Sequence, residues 1–201
     1  MARMIPVTLQ PEPADFDVEV RQKGQGWLFD RGIRLNAAPT KASKLPAYWS
    51  HSNQQLWEAY QGTCAYLAIF FEWPSGASST DHFVPKSVHA GLAYEWNNYR
   101  LSCLGPNRRK NKYQDVLDPV GLSADTFFLN LLSGEIRPNP HLLAADKAKA
   151  RKTIKRLTLD SPFHNAMRAK HFERYLRKKD AQTLKELSPF VWYEANRQGL
   201  L

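Results

Sequence analysis

At 201 residues and 43% hydrophobic content, the chain is long enough to bury one ordinary core, or one core and a small appendage, without disulfide or metal staples. It carries 28 Lys and Arg against 19 Asp and Glu, a formal charge of +9, which points to a polyanion as the large partner. Two cysteines, Cys64 and Cys103, exclude a disulfide framework, no run approaches the ~18 to 20 apolar residues that a membrane span would need, and the start, Met1 to Val20, shows no apolar h-region, so a reduced, cytoplasmic protein is expected.

Taken in chain order, residues 1–50 are rich in proline (Pro6, Pro11, Pro13, Pro39, Pro46) and read as an extended arm with no fold of its own. A short helix is predicted from Asn53 to Tyr60, with Ser52 as N-cap, Leu56, Trp57 and Tyr60 facing inward and Gly62 past its end. The apolar run Cys64–Phe71 reads as a strand ended by Pro74, Ser75 and Gly76, and a second strand leads into Asp81-His82-Phe83. A loop from Val84 to Trp96 follows, then a third short strand, Asn97–Cys103. Proline suits the first helical position, so a helix should open at Pro106 and carry Asn107, Arg108, Lys110 and Asn111. Phe127–Leu132 and Glu135–Arg137 flank Ser133-Gly134 as a hairpin. From His141 the chain reads as helical and basic, with Ser161-Pro162 and Ser188-Pro189 as helix starts and Leu143, Ile154 and Leu157 as the buried stripe of the first helix. The expected organisation is therefore α+β: an arm over 1–50, a core over 51–140 and a helical, basic region over 141–201.

The chemistry-bearing residues fall between Asp81 and Lys110. Neutral imidazole at His82 can take a proton, the adjacent Asp81 carboxylate can bind a hard cation, and the amide oxygen of Asn107 can complete that cation's site from the following helix. Asn98 can hold the intervening loop through backbone hydrogen bonds. Lys86, Arg108 and Lys110 can meet phosphate. Hydrolysis of a phosphodiester requires such a set: a base, a cation for the charged phosphorane and leaving oxygen, and positive groups along the substrate backbone.

The series Asp81-His82-Phe-Val-Pro85-Lys86-Ser87, Trp96-Asn-Asn98-Tyr and Asn107-Arg-Arg-Lys110 resembles the HNH, or His-Me-finger, endonucleases. The resemblance implies a ββα-metal core, with His82 as general base, Asn98 ordering the loop, Asp81 and Asn107 binding one Mg²⁺ or Mn²⁺, and Lys110 contacting phosphate. The nine positions from Asn98 to Asn107 are similar to the spacing in the HNH domain of RNA-guided CRISPR effectors. The flanking Leu92-Ala-Tyr-Glu-Trp96 to Cys103 text looks closer to bacterial HNH proteins of the Septu and retron-associated type, which implies an ATPase partner and a role in antiphage defence. Relatives often hold a structural zinc in two Cys-x-x-Cys knuckles. Here Leu67 follows Cys64 and Pro106 follows Cys103 where the second cysteines would stand, so no structural zinc is expected, and two thiols are favoured over a disulfide.

The expected activity is metal-dependent endonucleolytic cleavage, of DNA by default, although the same chemistry can cut RNA. The competing reading is a nucleic-acid- or partner-binding subunit that keeps the HNH scaffold without turnover. Trp73, Tyr94, Trp96 and Tyr99 read as core before they read as base-stacking platforms. His89, His164 and His171 read as surface residues.

Overall fold

A computed structural model describes residues 7 to 201; the beginning of the proline-rich arm, Pro6 included, lies outside them. The protein is mixed α and β, with two small antiparallel sheets and seven α-helices among the described residues. Its contacts divide it into two units. One holds Leu9–Gly62 and Glu72–Gln114, and the other holds Thr63–Phe71, Asp115–Leu201 and the stretch ending at Thr8. This differs from the division at residues 50 and 140, because the segment 51–140 contributes to both units and the arm is built into the first.

In the first unit the arm is folded. Phe16, Val20, Gly24 and Leu28 recur every fourth position, and all four are buried. A π-helical stretch, Asp17–Gln22, runs directly into helix α1 (Lys23–Phe29). The proline count masked this stripe, whose i, i+4 spacing is a helix signal. Gly24 permits a close approach, since a Cβ there would run into the Tyr94 ring. Phe16 meets Trp96 and Tyr99 edge-on, with centroids 5.4 and 5.7 Å away. Helix α2 (Asn53–Ala59) follows as expected and buries Leu56. Ser52 makes no side-chain cap to it; its hydroxyl donates to the Trp49 carbonyl at 3.0 Å.

Strand β1 (Ser78–His82) pairs antiparallel with β2 (Tyr99–Cys103), which sets Asp81 opposite Arg100 and His82 opposite Tyr99. Helix α3 (Leu104–Lys110) starts two residues earlier than expected, with Pro106 inside its first turn. Proline is tolerated there because first-turn N–H groups have no helical acceptor. The order of strand, loop, strand and helix read from the sequence is thus the order the chain adopts between Ser78 and Lys110.

In the second unit Cys64–Phe71 does not form the expected strand. Ala68, at φ +50°, turns the chain, and Cys64 N–H donates to the Ile69 carbonyl at 2.9 Å. A single bridge joins Thr63 to Phe70. Cys64 through Ala68 are all buried, and a continuous apolar run is satisfied by burial in a turn as well as in a strand. Neither cysteine is in a disulfide; Cys64 is buried and Cys103 half-buried. The predicted hairpin is present as β3 (Phe127–Leu129) and β4 (Ile136–Pro138). Helices α4 (Ala144–Leu157), α5 (Pro162–Lys178), α6 (Ala181–Leu187) and α7 (Pro189–Arg197) complete this unit. Ser161 caps α5 by accepting from the His164 N–H. The buried stripe of α4 is Ala150, Thr153 and Leu157; Leu143 precedes the helix and is exposed, which corrects its assignment to the core. No helix among the described residues is long and apolar enough to cross a membrane.

Candidate active site

The first unit contains a cleft of about 510 Å³, lined by β1, the start of the following loop and α3. Asp81, His82, Lys86, Asn107 and Arg108, all singled out from the sequence, line it. So do Trp49, Ser87, Asn111 and Lys112.

His82 ends β1 and is buried. Its Nε2 lies 3.0 Å from the Ala93 carbonyl oxygen. A carbonyl only accepts, so Nε2 carries the proton and Nδ1 keeps the lone pair. The Tyr99 hydroxyl donates to the same carbonyl at 2.8 Å, and burial raises the Tyr99 phenol, which keeps it a neutral donor. The His82 ring is further fixed by edge contacts with Trp49 and Tyr99, at 4.8 and 5.2 Å. Burial pushes its pKa down to about 3, helped by the cations of Lys86 and Lys110 and opposed by the Ala93 bond. The imidazole is therefore neutral at pH 7.

The loop that supplies the Ala93 carbonyl is held by Asn98. Its Oδ1 accepts from Val84 N–H at 2.8 Å, and its Nδ2 donates to the carbonyls of Val84 at 3.0 Å and Leu92 at 2.8 Å. Asn98 is buried and does not line the cleft. The arm supports the same loop: Arg21 donates to Glu95 at 2.9 Å, and the Trp96 indole N–H donates to the Gln10 carbonyl at 2.8 Å.

Asn107, in α3, turns its amide nitrogen to the Ser79 hydroxyl and to the Thr80 carbonyl, the latter at 3.3 Å. The carbonyl fixes that orientation, because only the NH₂ can donate to it, and Asn107, which lines the cleft, could offer Oδ1 to a cation there. Lys110 lies elsewhere than expected. It is fully buried, and its ammonium donates to Asp81 Oδ1 at 3.0 Å and to the His82 carbonyl at 2.8 Å. A phosphate contact would need an exposed ammonium, so Lys110 serves the underside of the site. Lys86 is half-buried with its ammonium 4.1 Å from the Trp49 ring centroid, and burial lowers its pKa. Arg108 and Lys112 are exposed on the cleft.

Asp81 and Asn107 together offer one carboxylate and one amide oxygen. Mg²⁺ is commonly held by one or two carboxylates, with water and substrate phosphate completing its shell, so this donor set fits such an ion. Among the described residues no three His, Cys, Asp or Glu side chains gather as a larger metal cage.

Sequence reasoning missed Trp49, Lys112 and the Ala93 carbonyl. Trp49 lies in the supposed arm, and a backbone carbonyl leaves no trace in residue identity. Lys112 was legible only as one more cation after Lys110. Of the other aromatics, Tyr94, Trp96 and Tyr99 are core, as read. No protein-family model matches the chain, and no curated protein sequence matches it.

Proposed function

We propose that this protein is a metal-dependent endonuclease of the HNH, ββα-metal type, cleaving phosphodiester bonds in nucleic acid, with DNA as the default substrate. The observation that carries the reading is the convergence of His82, Asp81 and Asn107 on one cleft, with His82 held in the tautomer that a general base requires. A base candidate and two ligand candidates lining one cleft form the arrangement that such a hydrolytic site requires.

A bound Mg²⁺ or Mn²⁺ at Asp81 and Asn107 would supply Lewis-acid stabilisation of the phosphorane and the leaving oxygen. His82 Nδ1 takes a proton from the attacking water as the new P–O bond forms. The bond to the 3′-oxygen breaks and that oxygen takes a proton from solvent water, which leaves 5′-phosphate and 3′-hydroxyl ends. The negative phosphate brought into the cleft favours the protonated imidazole and so raises the basicity of His82 in the complex. Asn98 and the Ala93 carbonyl keep the ring oriented, while Lys86 and Arg108, with Lys112, draw the substrate backbone into the cleft. The similarity of the flanking text to Septu and retron-associated proteins supports a cytoplasmic role in antiphage defence beside an ATPase.

The test is incubation of supercoiled plasmid, single-stranded DNA and total tRNA with the protein in Mg²⁺, Mn²⁺ or EDTA, beside His82→Ala. Loss of a positioned base costs about 10²- to 10⁴-fold in rate. Metal-dependent cutting that falls by this factor in the variant supports the proposal and names the substrate. No cutting in any condition, with or without a co-purified ATPase, leaves the scaffold reading in its place.

A further inference from the structure

The buried ammonium of Lys110 bears directly on how the cleft handles a cation. It sits 3.0 Å from Asp81 Oδ1, and its second bond, to the His82 carbonyl, anchors it there. Both charged side chains are almost wholly removed from water, so their attraction is little screened by solvent or salt. The carboxylate is thus already neutralised in the free protein. Around it the cleft carries Lys86, Arg108 and Lys112 and no second acidic side chain. A divalent cation approaching the free cleft meets net positive charge.

Resting on the endonuclease reading, we propose that Lys110 makes cation binding at Asp81 and Asn107 conditional on substrate: the site fills together with a phosphodiester, whose negative charge reverses the sign of the field, and stays poorly occupied without one. Lys110 is in this view a positioning residue that acts through Asp81. By linkage, the cation and the nucleic acid must raise each other's affinity by one common factor, typically about 10- to 100-fold for such couplings. The device keeps a base and its cation from being assembled together until a scissile bond is present.

The experiment is Mn²⁺ binding followed by electron paramagnetic resonance in the full-length His82→Ala variant, at constant ionic strength, with and without a short single-stranded DNA oligonucleotide. An RNA of the same sequence forms a second arm. The same titrations on His82→Ala/Asp81→Asn define the manganese held by the oligonucleotide itself. The expected result is weak site-specific binding that tightens by about tenfold or more when oligonucleotide is present. In Lys110→Met on the His82→Ala background, binding without oligonucleotide should tighten by a similar factor; the oligonucleotide arm decides alone if that variant does not fold. Tight binding by His82→Ala in the absence of nucleic acid, unchanged by adding it, overturns the inference and leaves the cation site standing. Identical behaviour of His82→Ala and His82→Ala/Asp81→Asn in every condition overturns the cation site, and with it the endonuclease reading.

Discussion

Each unit of the molecule buries a cation, and the two do different work. Lys110, in the cleft-bearing unit, faces a carboxylate on the wall of a cleft. Arg168, in the helical unit, donates to the Gly134 carbonyl at 2.8 Å and the Leu159 carbonyl at 2.6 Å, tying the turn of the β3–β4 hairpin to the end of α4. A cation among carbonyls ties backbone segments together, whereas a cation against a buried carboxylate alters the charge on the cleft which that carboxylate lines. Burial of charge therefore identifies function only together with the partner that the charge is given.

Replacement of both residues should break that comparison most sharply. Lys110→Met leaves Asp81 as an uncompensated buried charge, a change that costs about 3–5 kcal/mol. Arg168→Met leaves carbonyls without donors, at about 1–3 kcal/mol. Urea denaturation should rank them in that order. Equal losses would mean that Asp81 is rehydrated in the variant, and that the pair is less isolated from water than its burial indicates.

The histidines extend the comparison. The folded-state pKa of His82 is depressed, to about 3 from an ordinary 6.5. Above pH 6.5 the ring is neutral in both folded and unfolded chains and costs nothing. As pH falls below 6.5 the unfolded chain gains a proton that the folded one does not, so stability declines, by roughly 3 kcal/mol on reaching pH 4. His171, half-buried in α5, shifts in the same direction through burial and the neighbouring Arg174. Stability measured from pH 7 to pH 4 should flatten more in His82→Gln than in His171→Gln. A wild-type profile that His82→Gln leaves unchanged would show that the imidazole takes up its proton at the same pH in the folded and unfolded chains.

Two buried asparagines make a finer pair. Asn98 makes three hydrogen bonds to the loop beside His82, and Asn139 makes two beside the hairpin, from Nδ2 to the Asp125 carbonyl and to Oδ1 from His141 N–H. At about 1 kcal/mol per bond, Asn98→Ala should cost about 3 kcal/mol and Asn139→Ala about 2. Nuclease rate should fall only for Asn98→Ala, since only that loop presents the Ala93 carbonyl to His82. A comparable fall in rate for Asn139→Ala, at a temperature where both variants are folded, would remove the positioning role from Asn98.

The sequence disclosed the cleft unit better than it disclosed the helical one, for a physical reason. Asp81, His82, Asn98 and Asn107 are tied to particular atoms by hydrogen-bonding chemistry, and residue type and spacing preserve that. Cys64–Phe71 carries only apolarity, which a turn and a strand satisfy alike, and its place in the other unit is a long-range fact. The arm misled because its prolines outweighed the four-residue recurrence of Phe16, Val20, Gly24 and Leu28. Lys110 was legible as important but not in its direction: a lysine one turn after Asn107 can point to solvent or inward, and its inward course is settled by long-range partners, the Asp81 carboxylate and the His82 carbonyl, with the Phe83 ring 5.5 Å from the ammonium.

The smallest expected effects concern the exposed cations. Lys152 and Lys155 of α4 are exposed, and surface changes of this kind shift stability by less than about 0.5 kcal/mol. Arg108 and Lys112 are exposed as well, but on the cleft. Each cation that neutralises a phosphate contributes about 0.7 to 0.9 to the slope of log affinity against log salt. Lys152→Gln/Lys155→Gln and Arg108→Gln/Lys112→Gln remove the same charge from two different places, so their salt slopes separate net charge from position. A shallower slope for the cleft variant alone would confine the nucleic-acid contact to the cleft and make the α4 cations a solvated helix face. A shallower slope for both would give the helical unit a part in holding the backbone, and the formal charge of +9 would then describe a binding surface wider than the cleft.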